Sequence, residues 1–148
     1  MSVKIVVVSH GRFSEGLVDS VQMLTGEQKD LVYYGLFPEE TVDDLRAKLQ
    51  AELETTPKDM EVLFLSDVFH GSPFNTIVDL MREFQFHHLT GINLSLAVLA
   101  MMDRYMDMSA EEICRNLMEE GAGTIKYVND MFNAEDAEED DEDRKSVV

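Results

Sequence analysis

The 148-residue sequence contains one cysteine, Cys114, and no tryptophan. A single thiol excludes a disulfide framework and any cysteine-based zinc site. Cations are scarce too: 12 Lys and Arg stand against 30 Asp and Glu, for a formal net charge of −18. Phosphate-backbone contacts need clustered Lys and Arg, so this balance opposes nucleic-acid binding. No apolar run approaches the ~20 residues that span a bilayer, and the densest, Leu94 to Met102, falls well short. The opening residues Met1-Ser2-Val3-Lys4 lack a signal-peptide layout. These absences predict a cytoplasmic globular protein that does not bind nucleic acid.

What is present suffices for one folded domain. Hydrophobic residues make up 45% and charged residues 28%, the balance of a chain that can bury a core. The acidity is uneven. Glu135 to Val148 holds eight acidic and two basic residues, a net of −6, which leaves −12 on the remainder. The run EDAEEDDED cannot pack, so the sequence predicts a domain over residues 1–134 and a disordered acidic tail over 135–148.

Along the domain, short β-branched runs alternate with helical periodicity. Val3 to Val8, Leu31 to Leu36 and Met60 to Leu65 read as strands, and His88 to Ile92 as a weaker fourth. Between them, Phe13, Leu17, Val21 and Leu24 recur at helical spacing up to a stop at Gly26. Thr41 caps a helix carrying Val42, Leu45, Leu49 and Leu53, with Pro57 beyond its end. Ser72 and Pro73 suit the cap and first position of a helix whose inner face is Phe74, Ile77, Val78 and Met81. Asn93 or Ser95 starts a further, almost wholly apolar helix. Ser109-Ala110-Glu111-Glu112 opens another with a capping box. After Gly121 and Gly123, Thr124 to Val128 has strand-like composition.

This alternation predicts an α/β fold with a mainly parallel sheet and helices on both faces. Sites in such folds lie at the carboxyl ends of the strands, where strand order reverses. His10 follows the first strand and Asp67 the third, so neighbouring strands would bring the two side chains into one crevice. A carboxylate on one imidazole N–H fixes the tautomer and leaves the other nitrogen free as a nucleophile, with phosphate as one electrophile it could take. Ser72 and the N–H groups of the helix it opens would cradle an anion. Gly11 and Gly71 would allow close approach of a substrate to the backbone. A simple structural hydrogen bond is the competing account of the pair. Binding of Mg²⁺ by a receiver-like phospho-aspartate domain would need further carboxylates after strand one, where His10 stands instead. An FMN module would need a Ser/Thr-rich loop there, and His10-Gly11-Arg12-Phe13 is not one. No cofactor and no metal site is expected.

The runs Val7-Val8-Ser9-His10-Gly11, Ser14-Glu15-Gly16-Leu17 and Met23-Leu24-Thr25-Gly26 resemble the start of the enzyme IIA component of the mannose-family bacterial phosphotransferase system. Leu63-Phe64-Leu65-Ser66-Asp67 followed by Gly71-Ser72-Pro73-Phe74-Asn75 is similar to its second motif, and Gly91-Ile92-Asn93-Leu94 to a third. The resemblance covers about residues 3–130. It implies a doubly wound, four-stranded sheet of order 2-1-3-4 and a homodimer that exchanges a C-terminal antiparallel edge strand, for which Thr124 to Val128 is suited. It also implies a phosphoryl carrier, with His10 as the phosphorylated nucleophile, Asp67 orienting it, and Ser72 helping to bind the phosphoryl group. The expected donor is the histidine phosphocarrier protein (HPr), and the acceptor a IIB component on a separate polypeptide. Membrane IIC and IID components would be served indirectly. The alternative is a non-catalytic regulatory or receiver-like module on the same fold. Phe69-His70 departs from the Trp-Gly common in the family, which puts His70 either at the rim of the site or in an exposed loop. Ser95 stands where the family commonly has Pro.

Overall fold

A computed structural model of the chain describes residues 2–133. The tail expected over 135–148 lies outside the described residues. The elements are β1 (Val3–His10), α1 (Phe13–Thr25), β2 (Leu31–Leu36), α2 (Val42–Thr55) and β3 (Glu61–Ser66). They continue with α3 (Ser72–Leu80), β4 (His87–Thr90), α4 (Leu94–Tyr105) and α5 (Ala110–Gly121). The four strands form one parallel sheet of order β2-β1-β3-β4.

β1 is an interior strand between β2 and β3, and helices cover both faces of the sheet, so its side chains alternate between two cores. Val3, Ile5 and Val7 face α1, α4 and α5, where Leu17, Val21, Ala97, Ala100, Ile113 and Leu117 close the layer. Val6 and Val8 face α2 and α3, against Leu45, Leu49, Ile77 and Leu80. Lys4 points to this second face and pairs with Glu52 of α2, which also accepts the Tyr34 hydroxyl. Burial and that carboxylate push the Tyr34 hydroxyl up to about 12.

Caps mark the helix starts where the sequence places them. Thr41 and Ser109 each form a capping box, with Asp44 and Glu112, and the Asn93 side chain caps α4 through the Leu96 N–H. Register differs in α3. Gly71 is its cap residue and Ser72 and Pro73 are its first two positions, so Ser72 does not cap it. The inner face is Pro73, Thr76, Ile77 and Leu80, while Val78 and Met81 are exposed. The helix starts one residue earlier than expected, and the face it buries is displaced by one residue from the expected one, a turn of about 100° about the helix axis.

The C-terminal strand is not formed in this chain. Residues Ala122–Thr124 make a 3₁₀ turn, 125–127 have no regular structure, with Ile125 extended, and 128–133 are helical. A strand exists only where a neighbour satisfies its backbone, and among the described residues no strand pairs with this segment. Thr124 is instead held by the Asn93 amide and donates to the Gly121 carbonyl. Among the described residues no helix is long and apolar enough to cross a membrane.

Candidate functional site

β1 and β3 are hydrogen-bonded neighbours with Val8 opposite Ser66, so their carboxyl ends deliver His10 and Asp67 side by side. The strand order reverses here, since β2 lies on one side of β1 and β3 on the other. Asp67 Oδ2 lies 2.7 Å from His10 Nδ1 and accepts the His10 backbone N–H at 2.9 Å. An ionised carboxylate accepts only, so Nδ1 carries a proton, and in the neutral ring Nε2 then keeps its lone pair. The His10 side chain is half exposed, at 50%, whereas that of Asp67 is 13% exposed. Burial works against the Asp67 charge. The His10 backbone N–H, its imidazole and the Val68 N–H outweigh it and hold the carboxyl below its ordinary value.

The turn after His10 is set by two buried serines to which the sequence reading assigned no role. Ser9 Oγ accepts the Ser14 N–H at 2.7 Å and donates to the His10 carbonyl, and Ser14 Oγ donates to the Tyr34 carbonyl. Gly11, at φ +52°, turns the chain out of the strand, and its N–H reaches the Leu36 carbonyl of β2. Their only sequence signal is a serine on each side of the turn, which ordinary surface loops also show.

Gly71 sits against the imidazole. A Cβ there would lie 2.7 Å from His10 Cε1 and 3.4 Å from Nε2. Through this contact the N-terminus of α3 comes up to the Nε2 side of the ring. The Gly71 cap offers no side-chain hydrogen bond, and the first N–H groups of a helix have no partner within it. Ser72 is exposed at this end. His10 thus touches both Asp67 and Gly71, with Gly11 and Ser72 as the chain neighbours of His10 and Gly71, and the positive end of the α3 dipole lies on the imidazole side of this contact.

His70 is exposed on the intervening loop in a left-handed conformation, φ +66°, uncommon for a residue with a Cβ. Its ring packs on Phe69, with centroids 3.7 Å apart, and edge-on to Phe74. His87 and His88 lie on β4. Burial alone drives the His88 imidazole down to about 4. Burial pushes the Cys114 thiol up to about 11, away from thiolate chemistry.

The sequence model of EIIA-man, described as PTS system fructose IIA component, matches residues 4–118. The PTS system mannose-specific EIIAB component of Escherichia coli (strain K12) is 31% identical over 127 residues, covering 85% of this chain and 39% of that protein. The chain therefore spans about two-fifths of the length of this mannose-specific relative. The PTS system fructose-specific EIIA component of Bacillus subtilis (strain 168) is 28% identical over 116 residues, 78% of this chain and 79% of that one. Among solved structures, phosphotransferase system component EIIA from Streptococcus agalactiae superposes with a TM-score of 0.78 at 27% identity. It covers 86% of this chain and 98% of that one. The four-stranded parallel sheet, the site at its switch point and a family match running from β1 into α5 agree: the chain belongs to the EIIA-man family of PTS IIA components.

Proposed function

We propose that this protein is the cytoplasmic phosphoryl carrier of a sugar-transporting phosphotransferase system, using His10 Nε2 as the nucleophile. The observation that carries this is the pairing of His10 Nδ1 with Asp67, which in the neutral ring leaves the lone pair on Nε2, on a half-exposed side chain beside the start of α3. The Nε2 lone pair attacks the phosphorus of a phosphohistidine on HPr. The new N–P bond forms as the donor's N–P bond breaks, and that electron pair returns to the donor imidazole. Asp67 balances the positive charge that the ring of His10 acquires. The Ser72 hydroxyl and the first free N–H groups of α3 receive the phosphoryl oxygens, which Gly11 and Gly71 leave room for. A IIB component then takes the group in the reverse displacement and serves the membrane IIC and IID components. Exposed Phe13, Val68 and Phe69 flank the opening and give a protein partner apolar surface to meet.

The working unit in this proposal is a homodimer. β4 is a four-residue edge strand whose outer side pairs with no strand among the described residues, and Ile125, Tyr127 and Val128 are exposed on the segment that follows α5. Pairing that segment antiparallel with the partner's edge would satisfy both.

Incubation with phosphoenolpyruvate, enzyme I and HPr tests the chemistry. One acid-labile, base-stable phosphoryl group per chain is expected, absent from His10→Ala. Stoichiometric labelling of His10→Ala would overturn the assignment. Acid-stable label on Asp67 would favour the receiver-like alternative.

A further inference from the structure

His10 rests on two supports, the Asp67 carboxylate at the end of β3 and Gly71 at the start of α3. Both lead to one residue that lies behind the opening. His88 on β4 has Nε2 2.7 Å from Ser66 Oγ, and Ser66 donates its hydroxyl to Thr90 Oγ1 at 2.8 Å. A serine has one hydrogen to give, so the His88 ring is the donor and holds its proton on Nε2. Ser66 is fully buried, and its carbonyl accepts the N–H groups of Gly91 and Ile92 at 3.0 and 3.1 Å. The residue immediately before Asp67 is therefore bound to β4 and its following turn at both side chain and backbone.

The second support runs through rings. The His88 ring packs against Phe74 in the first turn of α3, with centroids 5.2 Å apart. Phe74 in turn holds Phe69 edge-on at 5.0 Å and His70 at 5.5 Å, the loop residues that lead into Gly71. The loop adopts its left-handed turn at His70 against this platform.

We propose that His88 is a positioning residue for His10, setting Asp67 through Ser66 and the start of α3 through Phe74. It rests on the reading of His10 as nucleophile and adds to it a residue that never touches the phosphoryl group. Both supports must agree on the placement of one ring, and displacements of about 1 Å cost on the order of 100-fold in rate. A single side chain that touches both keeps them in register.

The test compares His88→Leu, His88→Gln and Ser66→Ala in the full chain, at a temperature where melting curves show each folded. His88→Leu removes the donor and the ring. Ser66→Ala removes the acceptor and leaves the ring on Phe74, so it answers the question should the leucine variant not fold. His88→Gln keeps an N–H that can reach Ser66. The readouts are the rate of His10 phosphorylation at saturating phosphorylated HPr, the KM for that donor, and the ¹⁵N shifts of the His10 ring. Expected are about tenfold lower kcat at unchanged KM for His88→Leu and Ser66→Ala, with ring shifts of mixed tautomers, and partial recovery of both in His88→Gln. Folded variants with wild-type kcat and wild-type nitrogen shifts would overturn the proposal and leave His88 a packing residue. A wild-type chain that accepts no phosphoryl group would instead sink the carrier assignment, while the nitrogen shifts would still report on positioning.

Discussion

One oxygen of Asp67 accepts two hydrogen bonds from His10, from the backbone N–H at 2.9 Å and from Nδ1 at 2.7 Å. The two bonds tie the ring to its own main chain through a shared acceptor. They fix rotamer and tautomer together, because the imidazole cannot turn without losing Oδ2. A charged acceptor also makes each bond stronger than a neutral one, which opposes the thermal wobble of a half-exposed side chain.

Asp67→Asn breaks that arrangement at constant size. Either the amide NH₂ faces two donors, or its oxygen does and the NH₂ occupies the position of Oδ1, a buried atom with no hydrogen-bond partner among the described residues. The phosphorylated imidazolium also loses its counter-charge. The expected loss in His10 phosphorylation rate approaches the ~10⁴-fold seen when another enzyme's His-orienting aspartate is amidated. Rapid-quench kinetics with phosphorylated HPr measure it. Unchanged kinetics would mean that the pair has no part in transfer.

Gly71→Ala places a methyl group 2.7 Å from His10 Cε1 and 3.0 Å from Val68 Cγ2. The ring or the α3 start must shift, and the phosphoryl pocket with it. A fall in transfer rate of at least about tenfold is expected with a melting temperature only slightly reduced, since the site lies at the surface. Wild-type rates in the alanine variant would show that the opening is more tolerant than the contact implies.

Folding stability carries a mark of His88. Burial holds its folded-state value at about 4, against 6.5 for the free side chain. Above pH 6.5 both states are neutral and the full stability is present. As pH falls from 6.5 towards 4, the unfolded chain takes up a proton that the folded chain refuses, so stability is lost. By pH 5 the loss from this one group is about 2 kcal/mol. Urea midpoints at pH 7.5 and pH 5 should therefore differ more for wild type than for His88→Leu. Equal differences would place His88 in contact with water.

In the proposed homodimer, the segment after α5 makes the contact. The intact chain should sediment as a dimer at micromolar concentration, burying an obligate-type interface. Removing residues 121–148 should yield a monomer or an aggregate, because the β4 edge is left without a partner. Dimerisation that survives this truncation unchanged would rule out strand exchange.

Much of the site was legible because its residues mark the ends of elements. Val3 to Val8 is β-branched at every position but Lys4, so it reads as a strand buried on both faces, and His10 lies just beyond it. Asp67 follows Met60 to Leu65 for the same reason. The capping boxes at Thr41 and Ser109 are local motifs, complete within four residues, and both are present. Ser66, His88 and Thr90 escaped because their bonds cross between strands 22 and 24 residues apart in sequence. Adjacent histidines in a short strand carry no periodic signal that distinguishes a buried ring from a solvated one. The strand expected at Thr124 to Val128 shows the converse limit. Composition reports what a segment can become, while pairing depends on which edge lies beside it.

The sequence by itself determined the alternation of elements, the parallel sheet and the two residues placed at its switch point. Each of these follows from local periodicity and from the steric rules of right-handed crossover. Tertiary structure alone decided that one carboxylate oxygen serves both N–H groups of His10. It alone decided that Gly71 presses on the imidazole and that His88 underlies both supports. Those relationships depend on strand register and on the approach of a helix to within a methyl group's width. The energies concerned come from contacts between residues up to 61 positions apart, and no local pattern encodes such contacts.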